Sequence, residues 1–181
     1  MLINFKVKNF MSFKDLQELS MVTGKVRRKD ERTYKYKNFS LLKFSTIFGA
    51  NASGKSNFVN ALNIMRSIII EEMPTTIKQY YYNLDDESKF TNTYFETELL
   101  IKDKCYSYGF EVNFLNNEIV EEWLLELIGD KVDIIFERSL PKNYIEIKRK
   151  FSKEISQKLN VYIADAKRDR SLLFLSFFEY Y

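Results

Sequence analysis

The octapeptide Gly49-Ala50-Asn51-Ala52-Ser53-Gly54-Lys55-Ser56 constrains this chain more than any other stretch. It satisfies G-x-x-x-x-G-K-[ST] at every specified position, a pattern that works when a buried strand leads into it and a helix leads out. Residues 41–48, Leu-Leu-Lys-Phe-Ser-Thr-Ile-Phe, are mostly apolar and read as a buried central strand. Residues 55–72 read as a helix, because Phe58, Ala61, Leu62, Met65, Ile68 and Ile69 recur at spacings of three and four and lay one apolar face along it. Pro74 then ends that helix.

The chemistry of the loop follows from backbone and charge. Gly49 suits the tight turn out of the strand, and Gly54 lets the backbone approach a ligand closely. Successive N–H groups of Ala50, Asn51, Ala52 and Ser53 then form an anion nest. The dipole of the helix opening at Lys55 adds positive potential. Lys55 is placed to reach the β- and γ-phosphates of a purine nucleoside triphosphate. The Ser56 hydroxyl is a hard oxygen ligand suited to Mg²⁺.

The rest of the chain reads differently. Residues 2–8 alternate polar and apolar as a half-buried strand does, and residues 16–22 could pair with them. Gly24 opens a charged loop, Lys25 to Lys37, and residues 75–91 form a polar excursion. Runs rich in Tyr, Phe, Ile and Val at 93–101, 105–114, 118–128 and 132–138 are separated by short turn signals, and 143–148 adds a fifth. Even spacing with short turns predicts an antiparallel meander, not βαβ units. Residues 151–160 and 166–181 read as helices, the last apolar on every side and in need of burial all round. A terminus of that kind suggests a chain that stops inside a domain, or one whose last helix packs into a homodimer.

Composition excludes several classes. The chain has no His, which removes His acid/base catalysis and His metal ligation. Cys105 stands alone, so there is no internal disulfide and no paired-cysteine zinc site, and a reducing compartment is the natural setting. The opening residues interleave Lys with apolar side chains, unlike a signal peptide, and no apolar run is long enough to span a bilayer. The chain therefore reads as soluble and cytoplasmic, without a membrane partner. Residues 25–37 carry seven basic against two acidic residues, 71–130 four against fourteen, and 142–170 nine against four. The basic segments could meet DNA, although runs of charge are more often solvated faces.

Weaker candidates surround the loop. No run of four apolar residues ends in an Asp followed by Glu. Ile134-Ile135-Phe136-Glu137 comes closest, but it lies in the meander, where Glu137 reads as a strand's polar face. Gln79 reads as a loop residue. Trp123, among acidic Glu121, Glu122 and Glu126, reads as packing rather than a base-stacking platform, and so do Tyr80, Tyr81 and Tyr82.

The opening Ile3-Asn-Phe-Lys-Val-Lys-Asn-Phe-Met-Ser-Phe-Lys-Asp15, the loop extended through Asn57, and Tyr106-Ser-Tyr-Gly-Phe with Ile119-Val-Glu-Glu122 resemble bacterial AAA-family ATPases with ABC-type heads. Those are relatives of RecF and the structural-maintenance-of-chromosomes ATPases. The resemblance implies an α/β P-loop NTPase fold, the N-terminal lobe of an ABC-type head, with an antiparallel β-meander subdomain. It implies binding of ATP and Mg²⁺ through Asn51, Gly54, Lys55, Ser56 and Asn57, with Asn9 to Phe13 and the 23–40 loop flanking base or ribose. It further implies a homodimer closed by ATP, a role in abortive infection or phage defence, and an effector nuclease or toxin as partner. Such relatives run to about twice this length and continue into a helical arm, a signature motif and an Asp-Glu pair. The expected division is 1–74 as nucleotide-binding core, 75–150 as β subdomain and 151–181 as a helical segment leading to a missing C-terminal half. Lacking the carboxylate that orients water and metal, the chain is expected to turn nucleotide over very slowly alone. A non-hydrolysing regulatory module and a RecF-like repair ATPase are the alternatives.

Overall fold

A computed structural model describes residues 1–24, 32–71, 73 and 80–178. Its main element is a seven-stranded antiparallel sheet. The strands are β1 (Leu2–Lys8), β2 (Gln17–Ser20), β5 (Thr93–Ile101), β6 (Lys104–Asn113), β7 (Glu118–Ile128), β8 (Lys131–Ser139) and β9 (Tyr144–Ile147), in the order β2-β1-β5-β6-β7-β8-β9. The sheet thus draws strands from residues 1–74 and 75–150 alike. A separate hairpin joins β3 (Thr33–Tyr36) to β4 (Phe39–Leu42). Two helices complete the fold, α1 (Lys55–Ile70) and α2 (Lys153–Arg168). The meander forms as expected, and the chain is α/β, with two helices on an antiparallel sheet.

One face of the sheet carries the core. Phe5 and Val7 of β1, Phe95 of β5, and Phe110 and Val112 of β6 are fully buried against Phe58, Ala61, Met65 and Ile68 of α1 and Leu159, Tyr162 and Ala166 of α2. Period-two burial in the strands meets the three-and-four spacing of α1, so each element hides only its apolar side. Phe5 and Phe58 meet edge to face at 5.4 Å, which ties α1 to the first strand. On the other face, Lys6, Glu96, Gly109, Trp123 and Glu137 follow one another across five strands. The β3–β4 hairpin covers one end of that face, where Tyr36 and Leu41 pack with Leu100 and Cys105.

Salt links stitch the far edge. Glu126 accepts from Lys104 at 3.0 Å and from Arg149 at 2.7 Å, and Arg149 also pairs with Asp133. The Lys104 and Arg149 partners hold the Glu126 carboxyl below its ordinary range. A carboxyl depressed on folding stabilises the fold above its unfolded pKa, and that contribution disappears as pH falls through the folded value. Thermal unfolding followed from pH 6 down to pH 3 should therefore show a fall in Tm that is shallower in Glu126→Gln; parallel curves would remove Glu126 from the acid response.

Some local expectations fail, each for a tertiary reason. Residues 41–48 are not a buried central strand. β4 ends at Leu42, pairs only with β3 and makes a lone bridge from Leu41 to Val22. Beyond it no described strand lies alongside, and Phe44, Ile47 and Phe48 stand 59%, 42% and 86% exposed. An apolar run becomes a buried strand only when neighbours flank it. Nor is 166–181 a single helix. α2 ends at Arg168, the backbone bends through 169–174, and a short 3₁₀ turn spans Leu175–Phe178. Arg138 and Glu122 engage the backbone of that bend, holding it away from helical geometry (see Discussion). The charged loop expected over Lys25 to Lys37 also gives way, since β3 occupies Thr33–Tyr36 and pairs with β4; Lys25 to Glu31, Pro74 and Gln79 lie outside the described residues.

Candidate functional site

The glycine loop opens directly into α1, as expected, although from an exposed segment that belongs to no strand. Gly54 is the residue before the helix, at φ +90°, a region open to glycine and costly for other side chains. Ala52 also lies at positive φ, 64°, so the loop stores some backbone strain. No side chain caps the helix, and its first turn holds no acid. The leading N–H groups are therefore left for another acceptor, and the dipole points the same way. α1 is 16 residues long, enough for that dipole to matter at its first turn.

The Lys55 ammonium lies over the loop. It donates to the carbonyls of Gly49 at 2.8 Å and Ala50 at 2.6 Å, and to Ser53 Oγ at 3.3 Å. It is thus held within the loop rather than by a carboxylate elsewhere. With an ionised donor these are charge-assisted bonds. Ser53 N donates to Ala50 O at 3.3 Å and closes the turn on itself. Asn51, Ala52 and Ser56 are exposed beside it. Among the described residues no group of three or more acidic or cysteine side chains could hold a metal ion.

A hollow of about 350 Å³ adjoins the loop. Gly49, Ser53, Gly54 and Lys55 form its polar end, and Phe13, Leu19, Ile47, Phe48 and Phe58 its apolar side, with Gln17 and Glu18 contributed by β2. That size lies within the range of small-molecule sites, roughly 300–1,000 Å³. A larger hollow of about 660 Å³ lies elsewhere, between residues 8–16 and 85–92. Its charges are of both signs, and its Lys14 pairs with Asp85 at 2.8 Å, so it offers no anion nest.

Asn57, directly after the motif, has a partner outside the loop. Its side-chain amide donates to Ser12 Oγ at 2.8 Å, across 45 positions of sequence. Nothing in the spacing of the loop signals that partner. Gln17, Glu18 and Leu19 reach the hollow for the same kind of reason, through the pairing of β2 with β1.

The other candidates settle as packing or surface. Glu137 accepts from Lys148 at 2.7 Å on the polar face of β8. Trp123 is half-buried over Gly109, and Tyr80 stacks on Phe10 at 5.8 Å. In the basic 142–170 segment Lys148, Arg149, Arg168 and Arg170 all pair with acids of the same molecule. No helix among the described residues is long and apolar enough to cross a membrane.

A family model described as "AAA domain, putative AbiEii toxin, Type IV TA system" matches residues 44–157, from just before the loop to within α2. No curated protein matches the chain.

Proposed function

This chain belongs to that AAA-domain family of P-loop ATPases, and on that premise we propose that it binds ATP with Mg²⁺ through Gly49 to Ser56. The observation that carries the reading is the uncapped start of α1 joined to a loop that already gathers the Lys55 ammonium. In this reading the N–H groups of residues 50 to 56, other than that of Ser53, take the phosphate oxygens. Lys55 moves from the Gly49 and Ala50 carbonyls to the β- and γ-phosphates, and Ser56 Oγ holds the metal. Mg²⁺ supplies charge neutralisation between the phosphates. The apolar side of the hollow receives the base.

Phe44, Ile47 and Phe48 expose an apolar stretch just before the loop. A second head closing over bound ATP would cover it, in an ABC-type dimer that signals to an effector nuclease or toxin in phage defence. Hydrolysis then belongs to an assembly that adds a water-orienting carboxylate. A repair-type ATPase gripping DNA ranks second, because four basic groups of the 142–170 segment are engaged internally.

Isothermal titration with MgATP tests the central assignment. A charge-assisted hydrogen bond contributes about 1.5–3 kcal/mol, so Lys55→Ala should weaken binding roughly 10- to 100-fold. Equal affinity in the two proteins would remove the phosphate loop from the account.

A further inference from the structure

Asn57 follows the motif directly and invites assignment to the phosphates, yet its amide is committed to Ser12. Ser12 belongs to a tight turn in which Phe10 and Phe13 exchange backbone hydrogen bonds, both at 2.8 Å. Asn9 and Met11 flank it at φ 53° and 49°, a region that L side chains occupy only when their surroundings hold them there. The surroundings do so on one side. Met11 N donates to Tyr80 O at 2.8 Å, and the buried Asn9 amide donates to the Ser88 carbonyl at 2.9 Å and to Thr91 Oγ1 at 2.8 Å. On the side facing α1, the hydrogen bond that holds the turn comes from Asn57.

What the turn presents is Phe13. A Cβ added at Gly54 would come within 2.8 Å of the Phe13 ring and 3.3 Å of Ser12 Oγ, so the second glycine of the loop is shaped by this turn as much as by any ligand. Phe13 also packs edge-on against Phe58 at 6.2 Å and forms part of the apolar side of the hollow. The polar end of that hollow is the loop itself. A ligand with phosphates at one end and a flat apolar group at the other matches this division.

We infer that Asn57 is a positioning residue: through Ser12 it holds Phe13 against Gly54, and so sets the wall that receives the nucleoside end of the ligand. The inference rests on the nucleotide-binding reading and deepens it. Asn57 then contributes to affinity for ATP but not to affinity for its phosphates alone.

The test compares MgATP with magnesium tripolyphosphate by calorimetry on the full chain. Asn57→Ala and Ser12→Ala should each weaken MgATP about fivefold or more and leave tripolyphosphate within about twofold, and the double variant should be no weaker than either single one, as expected for two halves of one contact. Hydrogen exchange of the backbone at residues 10–13 should accelerate in both variants. Ser12 is exposed, so Ser12→Ala carries the test even where Asn57→Ala folds poorly. Equal weakening of both ligands by Asn57→Ala would put the amide on the phosphates and overturn the inference, as would unchanged exchange at residues 10–13. Lys55→Ala separates the two ideas, since it should weaken both ligands. A wild-type chain that binds neither ligand would refute the nucleotide reading, while the exchange data still decide whether Asn57 holds the turn.

Discussion

Glu122→Ala is expected to destabilise the protein by about 3–5 kcal/mol, the usual result of removing one partner of a buried ion pair. In a chain of this size that is roughly a 10 °C drop in Tm. Glu122 and Arg138 have side chains 0% and 3% exposed and approach to 3.8 Å. Tyr108 donates to the Glu122 carboxylate at 3.0 Å, and the backbone N–H groups of Phe174 and Leu175 donate at 2.6 and 3.1 Å. Arg138 in turn donates to the carbonyls of Leu172, Ala166 and Asp169 at 2.6, 3.4 and 3.5 Å. Alanine leaves the guanidinium without its carboxylate, and two N–H groups and a phenol without this acceptor, in the interior. Replacing both charged residues, Glu122→Leu with Arg138→Met, should cost less than the single change, because no charge is left alone. A Glu122→Ala protein within 1 kcal/mol of wild type by denaturant unfolding would show that water reaches the network. Burial pushes the Glu122 carboxyl up from its ordinary value, against the pull of the Phe174 and Leu175 amides, Arg138 and Tyr108. A raised carboxyl in the folded state makes the native form the tighter proton binder, so its contribution to stability declines as pH rises from the unfolded pKa to the folded one. That slope should be missing from Glu122→Gln.

The second large effect is expected at Gly109. A Cβ built there lies 2.3 Å from Trp123 Cζ2 and 2.7 Å from the Phe95 carbonyl oxygen. The indole, half-exposed and tilted against Tyr94 at 5.5 Å, could swing toward solvent. The carbonyl belongs to the neighbouring strand and cannot yield without parting β5 from β6. Gly109→Ala should therefore cost about 3 kcal/mol, the upper end of ordinary overpacking. Trp123 is the chain's only tryptophan, so its emission reports the displacement without interference. Adding Trp123→Ala should recover only the part due to the ring. A Gly109→Ala variant as stable as wild type, with unchanged emission, would contradict the close packing of these two strands.

The readable parts of this fold are those decided locally. α1 follows from its apolar spacing, and β5 to β9 follow from alternation and short turns. The glycine loop follows from its own eight residues. The unreadable parts depend on distant partners. Nothing in residues 41–48 shows that strand pairing stops at Leu42, because the pairing depends on what lies beside it. Nothing in 166–181 shows that Arg138 and Glu122 bend it away from a helix. The same limit hides the partner of Asn57, whose side chain looks like part of the loop until Ser12 is seen beside it. It also hides the burial of Glu122, which sequence groups with its acidic neighbours.

The placement of β1 between β2 and β5 bears on synthesis. Lys6 of β1 meets Glu96 of β5, 90 residues later, and α1 rests on Phe5 from the same first strand. A nascent chain therefore emerges with its opening strand and glycine loop long before the segment that seats them. Contacts that distant close slowly, since the intervening loop must first surrender its freedom. The ribosome must deliver β5 before the floor under α1 is complete, and until then Phe5, Val7 and Phe58 are surface for a chaperone to hold.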